Sequence, residues 1–362
     1  MASHTLPPAL AASTSTSTPS CYTAVPGKNG YVPPSACNAV WAYSPSFSGA
    51  IAFSFFFGML TIAQLFFAFR YRKGFCWVII MGASWELISF VTRAMGAKDQ
   101  QSTPLGFAST LLFLLAPLWI NAFVYMTAGR MIWMFHPEKK VWRVKAVSLA
   151  KYFVWLDVFS FVVQGVGGTM LSPGSSASQQ NLGKNIYMIG LGVQEGFIVM
   201  FFALVVRFQI TVRRLEALGQ APPTTQTRNG RRWKALTYVV YAVLVLITIR
   251  IIFRLVEFSA GIEVSNPLPY HEYYALVLDA LPMLLALLAL TVLHPGMVLK
   301  GPESQFPSRK ERKMAKKAAK AEKKQKKEDK RHGKSYAGGV TYETRQENNK
   351  GAGHDVEMGI VR

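Results

Sequence analysis

Charge is scarce in this chain. Acids and bases make up 16% of its 362 residues, and hydrophobic residues 51%; a soluble domain carries about 25% charged residues. Cysteine is scarcer still. Cys21, Cys37 and Cys76 are all there is, and their spacing matches no zinc motif. No Asn-x-Ser/Thr sequon with a permissive middle residue occurs. The start of the chain lacks a basic stretch followed by an apolar one, so no cleaved signal peptide is expected. Gly333-Lys334-Ser335 ends like a phosphate loop but lacks the leading glycine, which argues against an ATPase. His271 and His294 are 23 residues apart, about 35 Å along a helix, so they share no metal and a zinc hydrolase is excluded. No lysine falls in the last apolar run, which excludes a retinal protein. The chain is therefore expected to be no enzyme and to need no cofactor.

What it does have is long apolar runs, at roughly 47–69, 75–95, 105–130, 147–171, 185–207, 235–257 and 270–293. Each is long enough to cross a hydrocarbon core of about 30 Å as a helix, and far longer than the 9–11 residues of a barrel strand. The predicted fold class is all-α: a polytopic membrane protein, a bundle of seven transmembrane helices spanning 47–299. Residues 1–46 form a tail with a Ser/Thr-rich stretch at 11–20, and 300–362 a basic tail, largely disordered.

Lys and Arg set the orientation. One side carries Arg70, Arg72 and Lys73, then Arg130, Lys139, Lys140, Arg143, Lys145 and Lys151, then Arg207, Arg213, Arg214, Arg228, Arg231, Arg232 and Lys234. The other has only Lys28, Lys98 and Lys184. The N-terminus is predicted outside and the C-terminus cytosolic. Outside the cytosol, Cys21 and Cys37 become candidates for a disulfide. The net charge of +21 is concentrated in the tail, where 308–334 holds 14 Lys/Arg against 4 Asp/Glu. A basic segment just past a membrane helix suits anionic lipid headgroups or a solvated topogenic tail, not nucleic acid. The loop from Arg207 to Lys234, with its Pro-Pro-Thr-Thr run, reads as long and mobile.

Ionisable residues inside the runs are the functional signal, because a charge near the middle of a membrane helix costs roughly 2.5–3.5 kcal/mol. Four pairs recur seven residues apart: Glu86/Arg93, Asp157/Gln164, Arg250/Glu257 and Glu272/Asp279. Seven residues return to nearly the same helix face. Arg254 joins the Arg250 wedge, and Gln194 sits at similar depth. Two readings stand. The groups clamp the helices together, or they line a polar cavity for an amphiphile whose phosphate or carboxylate meets the arginine forks and whose ammonium meets the acids. Gly192-Val-Gln-Glu-Gly196 fits the small-xxx-small packing pattern. A seven-helix receptor is the rival class. Its Asn-Pro-x-x-Tyr signature is spelled by Asn266 to Tyr270, but at the wrong end of the seventh run, and Ala128-Gly129-Arg130 lacks the acid before arginine.

The chain resembles the fungal lipid-translocating exporters, seven-helix proteins linked to aminocholesterol resistance and release of sphingoid long-chain bases. The resemblance covers about 41–299. It rests on Tyr43-Ser-Pro-Ser46, Glu86, Arg93, Ala116-Pro117, Tyr125-Met126-Thr127, Gly129-Arg130, and Asp157-x-x-Ser160-x-x-x-Gln164-x-x-Gly167-Gly168. Gly190 and Gln194 follow, then Arg250-x-x-Phe253-Arg254-x-x-Glu257, Gly261, His271-Glu272, Asp279, Pro282 and His294-Pro295-Gly296. Ser89-Phe90 departs from the family's Gly-Tyr. The resemblance implies a plasma-membrane exporter of an amphipathic lipid or sphingoid-base-like compound, often tied to stress resistance. Its head-group path would be lined by Arg250, Arg254, Glu257, Glu272 and Asp279, with Glu86, Arg93, Asp157, Gln164 and Gln194 facing them. The alternative is a receptor-like sensor of membrane lipid state.

Overall fold

The computed structural model describes residues 22–304 apart from 34–35, 37, 42, 143, 172–175, 227–231, 260–267 and 302–303, with scattered positions between 306 and 325. The Ser/Thr-rich stretch 11–20, Cys21, Cys37 and hence the disulfide between them lie outside the described residues, as does most of the basic tail. Residues 305–362 are a unit of their own, with helical positions between 310 and 325.

Among the described residues, seven helices are long and apolar enough to cross a membrane. They are α1 (Phe47–Tyr71), α2 (Trp77–Lys98), α3 (Thr103–Phe135), α4 (Ala146–Met170), α5 (Ala177–Ala217), α6 (Trp233–Ser259) and α7. The last is built from Glu272–Ala275, a π-helical turn at Leu276–Ala280 and Leu281–Val292. The face at which α1 begins is called the N-face below, and the opposite one the C-face. A two-stranded hairpin, Lys140–Val141 with Val144–Lys145, joins α3 to α4 on the C-face.

The ends follow local chemistry. The Ser46 hydroxyl caps α1 by accepting from the Gly49 N–H at 3.2 Å. Ser176 and Gln179 form a reciprocal capping box at α5. At the other end of α5, Gly219 adopts a φ of 68°. The Gln220 N–H reaches the Leu215 carbonyl and the Gly219 N–H that of Glu216, a Schellman closure that needs the left-handed residue.

That closure corrects the expected Arg207–Lys234 loop. Its first eleven residues continue α5, which at 41 residues is about 60 Å long. The extension is polar, so hydropathy misses it. It is held to α6 by the Glu216–Lys234 ion pair at 2.8 Å, by the Trp233 indole donating to Glu216 at 2.8 Å, and by Arg213 donating to the Tyr238 hydroxyl at 2.7 Å.

In lipid, helices gain little by hiding apolar surface from one another, so close packing matters more. The tightest crossing joins α4 to α5 through glycines. A Cβ on Gly167 would lie 2.6 Å from the Tyr187 amide nitrogen, one on Gly183 2.6 Å from Met170 Cβ, and one on Gly190 2.7 Å from Gln164 Cγ. The small-xxx-small reading of Gly192 and Gly196 fails. Both are exposed, and a Cβ at either would meet no atom within 4 Å among the described residues. Counting small residues four apart does not reveal which face of α5 meets α4.

The N-face is covered by the chain preceding α1. Asn38 clasps the Ala24 backbone through N–H and C=O, at 3.1 and 2.9 Å. Val40 and Trp41 settle onto Gly106 and Gly96, where any Cβ would come within 2.8 Å of them. At the C-face, His294 is fully buried, stacked on Tyr71, and its Nδ1 accepts from the Gly296 N–H at 3.1 Å. Its Nε2 therefore carries the proton and faces the free, buried Cys76 at 3.7 Å.

Gly190→Leu is expected to lower stability by about 1–3 kcal/mol or more through overpacking, whereas Gly192→Leu should stay within about 0.5 kcal/mol. Thermal unfolding of the purified protein in detergent separates the two.

Candidate functional site

The charged residues of α2, α6 and α7 meet in one buried lattice toward the N-face. Its centre is Asp279, fully buried on the π turn of α7. Pro282 accounts for that turn. A proline lacks the N–H that an α-helix needs, and its ring crowds the carbonyl four residues back. The chain relaxes one residue earlier, where the Leu281 N–H bonds five residues back to Leu276.

The wider π turn rotates Asp279 away from the face that a regular helix would give it relative to Glu272. The two acids therefore do not share one stripe, as their seven-residue spacing suggested. Asp279 takes the arginines of α6 and Glu272 takes the arginine of α2.

Arg250 and Arg254 converge on Asp279, one on each carboxylate oxygen, Arg254 at 2.5 Å. Arg254 also reaches Glu257 at 3.1 Å, one turn along its own helix. Arg250 Nη2 donates to the Phe113 carbonyl at 3.2 Å. That carbonyl is available because Pro117, four residues on, has no N–H to offer it. The Phe113 ring serves all three arginines. It lies 5.0 Å from Arg250, 5.7 Å from Arg254 and 5.9 Å from Arg93.

Arg93 is buried among Trp41, Tyr43, Phe90 and Phe113 and pairs with Glu272 at 3.5 Å. The other Glu272 oxygen accepts from the Ser46 N–H at 2.6 Å, which ties the start of α1 to the start of α7. Burial pushes the Tyr43 phenol above its ordinary value, while the Arg93 guanidinium pulls the other way.

Among the described residues the remaining expected site residues make no ion pair with this lattice. Asp157 on α4 accepts from Asn121 at 3.0 Å and from the Tyr125 hydroxyl at 2.9 Å, both on α3. Gln164 donates to Gln194 at 2.8 Å across the α4–α5 crossing. Glu86 is fully buried, and among the described residues neither of its oxygens has a hydrogen-bond partner. Sequence reasoning did not place Phe113, Trp41 or Tyr187 in the site. Pro117 was the available signal for Phe113. Glu195, beside Gln194 in sequence, turns instead to α6 and accepts from Thr248 at 2.9 Å.

Two cavities lie against α5 and α6, the deeper one also walled by α3 and α4. The deeper one, about 30 Å³, is lined by Gln164, Tyr187, Gln194, Arg250 and Arg254, with apolar walls that include Leu114 and Phe161. That is room for one or two waters. The second, about 120 Å³, lies nearer the N-face and is lined by Leu171, Gln180, Asn181, Lys184, Glu257 and Phe258. Arg254 borders the first and Glu257 the second, so their ion pair links the two linings.

A family model described as "RTA1 like protein" matches residues 79–302. The "Probable lipid transporter atnI" of Emericella nidulans is 42% identical over 301 residues, 82% of this chain and 78% of that protein. The "Protoporphyrin uptake protein 1" of Saccharomyces cerevisiae is 29% identical over 211 residues, 58% of this chain and 65% of its own length. The "Sphingoid long-chain base transporter RSB1" of the same yeast is 24% identical over 250 residues, 61% of this chain and 64% of its own length. The matches to the two yeast proteins thus span under two thirds of each. No solved structure matches.

Asp279→Asn is expected to destabilise the protein by about 3–5 kcal/mol, because it leaves two buried guanidinium groups on a neutral amide. Glu272→Gln should cost less, about 1–3 kcal/mol, since Arg93 keeps its four rings. Thermal unfolding of both variants in detergent measures the difference.

Proposed function

Since the chain belongs to the RTA1-like family, we propose that it is a membrane transporter that moves an amphipathic lipid or lipid-like compound outward, without an ATPase of its own. The names of its relatives point to lipid, sphingoid base and porphyrin, which share an apolar body and a polar or charged edge. A head group of that kind is what the two cavities suit. Amides and arginines offer it polar contacts on one side, while Leu114, Leu118, Phe161, Leu191 and Ile251 face the apolar part.

The observation that carries this reading is the ion pair that links the two linings. In this reading the Arg254–Glu257 ion pair, with one partner on the wall of each cavity, closes the way from the middle of the bundle toward the N-face. Exchanging that pair for contacts with a substrate head group opens the way, because guanidinium and carboxylate can each take a new partner of opposite charge. The inner cavity is too small for a head group in this conformation, so the conformation is closed and passage requires α5 and α6 to part.

In this reading the N-face is outside and the C-terminus cytosolic, in keeping with the Lys/Arg imbalance between the loops. The membrane is the plasma membrane. Residues 308–334, with 14 Lys/Arg, rest on anionic lipids at the cytosolic surface. Glu257, Arg254, Gln164 and Gln194 are the head-group residues, whereas Asp279, Arg250, Arg93 and Glu272 hold the frame around them.

Liposomes containing only the purified protein and a fluorescent long-chain base test the reading. The wild type is expected to move the base between leaflets, and Arg254→Ala to do so about tenfold more slowly or worse, the loss of one charge-assisted contact. Equal rates would remove Arg254 from the path. A wild type no faster than empty liposomes would contradict the transporter reading.

A further inference from the structure

Counted together with Glu86, the buried lattice has more acids than bases. Arg93, Arg250 and Arg254 supply three cations, while Glu86, Glu257, Glu272 and Asp279 supply four carboxyl groups. Three of the four lie against an arginine. Glu86 does not, although it is fully buried and both oxygens are without a hydrogen-bond partner among the described residues.

Its surroundings offer little to hold a negative charge. Helices α1 and α3 pack on α2, yet α1 has no acid or base from 47 to 69, and α3 none from 103 to 124. The aromatic rings Phe53 and Phe57 of α1 meet α2 at Phe90. Tyr125, further along α3, donates to Asp157 instead. On α2 itself, Arg93 is taken by Glu272 and its ring of aromatics. The charges that act on Glu86 are Arg250 and Arg254 of α6, and both are already engaged by Asp279 of α7.

An unpaired carboxylate in such a place costs far more than a neutral acid, so the group takes up a proton instead. With Glu86 neutral, three arginines face three carboxylates and the lattice balances.

We infer that Glu86 is a proton-binding site that competes with Asp279 for the two α6 arginines. Protonated, it leaves both on Asp279 and the Arg254–Glu257 partition closed. When its proton passes to water, the carboxylate left behind draws an arginine toward α2 and the partition loosens. This deepens the transporter reading, since proton release and head-group passage then use the same arginine. The proton site itself stands on the geometry and not on transport.

Infrared difference spectroscopy on the full-length protein in lipid nanodiscs at neutral pH tests it. The C=O stretch of a protonated carboxyl group should be present in the wild type and lose one component in Glu86→Gln. An unchanged spectrum in that region would overturn the proposal. So would a Glu86→Gln protein that cannot be obtained folded, because an amide in place of a neutral carboxyl should be tolerated, whereas an amide in place of a paired carboxylate should not. Proteoliposomes supply the second arm. A pH gradient should change the rate of long-chain base movement by the wild type several-fold and leave that of Glu86→Gln flat with pH. Equal pH responses in the two would refute the coupling. A wild type with the infrared component but no base movement would keep the proton site and sink the transporter reading.

Discussion

One carboxylate holds two guanidinium groups at the centre of this bundle. Asp279 has no exposure and carries both Arg250 and Arg254, and a pairing of that kind in low dielectric tolerates no missing partner. Much of the surrounding structure serves it. Pro282 produces the π turn that aims Asp279 at α6. Pro117 releases the Phe113 carbonyl that takes the remaining Arg250 donor. The Phe113 ring lies against all three arginines. Two prolines inside membrane helices are thus part of the electrostatics, since each changes what the backbone offers to a buried charge.

The lattice also joins the first helix to the last. Glu272 at the start of α7 pairs with Arg93 near the end of α2 and accepts from the Ser46 amide at the start of α1. Trp41 and Tyr43 cover Arg93 from above. The segment before α1 therefore acts as a lid on the polar interior, and its fit depends on the small surfaces of Gly96 and Gly106. Below this lid, helices α3 to α6 leave two small cavities whose linings are joined by one ion pair. A transporter needs such an arrangement in one of its states: space closed by a contact that substrate can replace.

The helices and their buried acids and bases were legible in sequence because both rest on strong, local signals. A run of about 20 apolar residues has few other fates, and an arginine within it needs a partner. The partners were harder to read. Seven-residue spacing put Glu272 and Asp279 on one face, and a single inserted residue separated them. Asp157 looked like part of the charged path, yet its donors are Asn121 and Tyr125, whose registers against α4 no one-helix pattern contains. The glycines that set the α4–α5 crossing are Gly167, Gly183 and Gly190, because packing depends on which face meets the neighbour and not on spacing alone. The polar end of α5 escaped notice for the opposite reason. Its last turns are tied to α6 by an ion pair and side-chain hydrogen bonds as well as by buried Phe208 and Val212.

A double-mutant cycle between Arg250 and Asp279 tests the central claim most directly. Arg250→Met, Asp279→Leu and the double variant would be compared with the wild type by thermal unfolding in detergent. If Asp279 holds the bundle through its arginines, each single change should cost several kcal/mol and the double change much less than their sum, with a coupling of about 1.5 kcal/mol or more. Losses that simply add, within about 0.5 kcal/mol, would mean that the two residues act independently and that the lattice does not organise the fold.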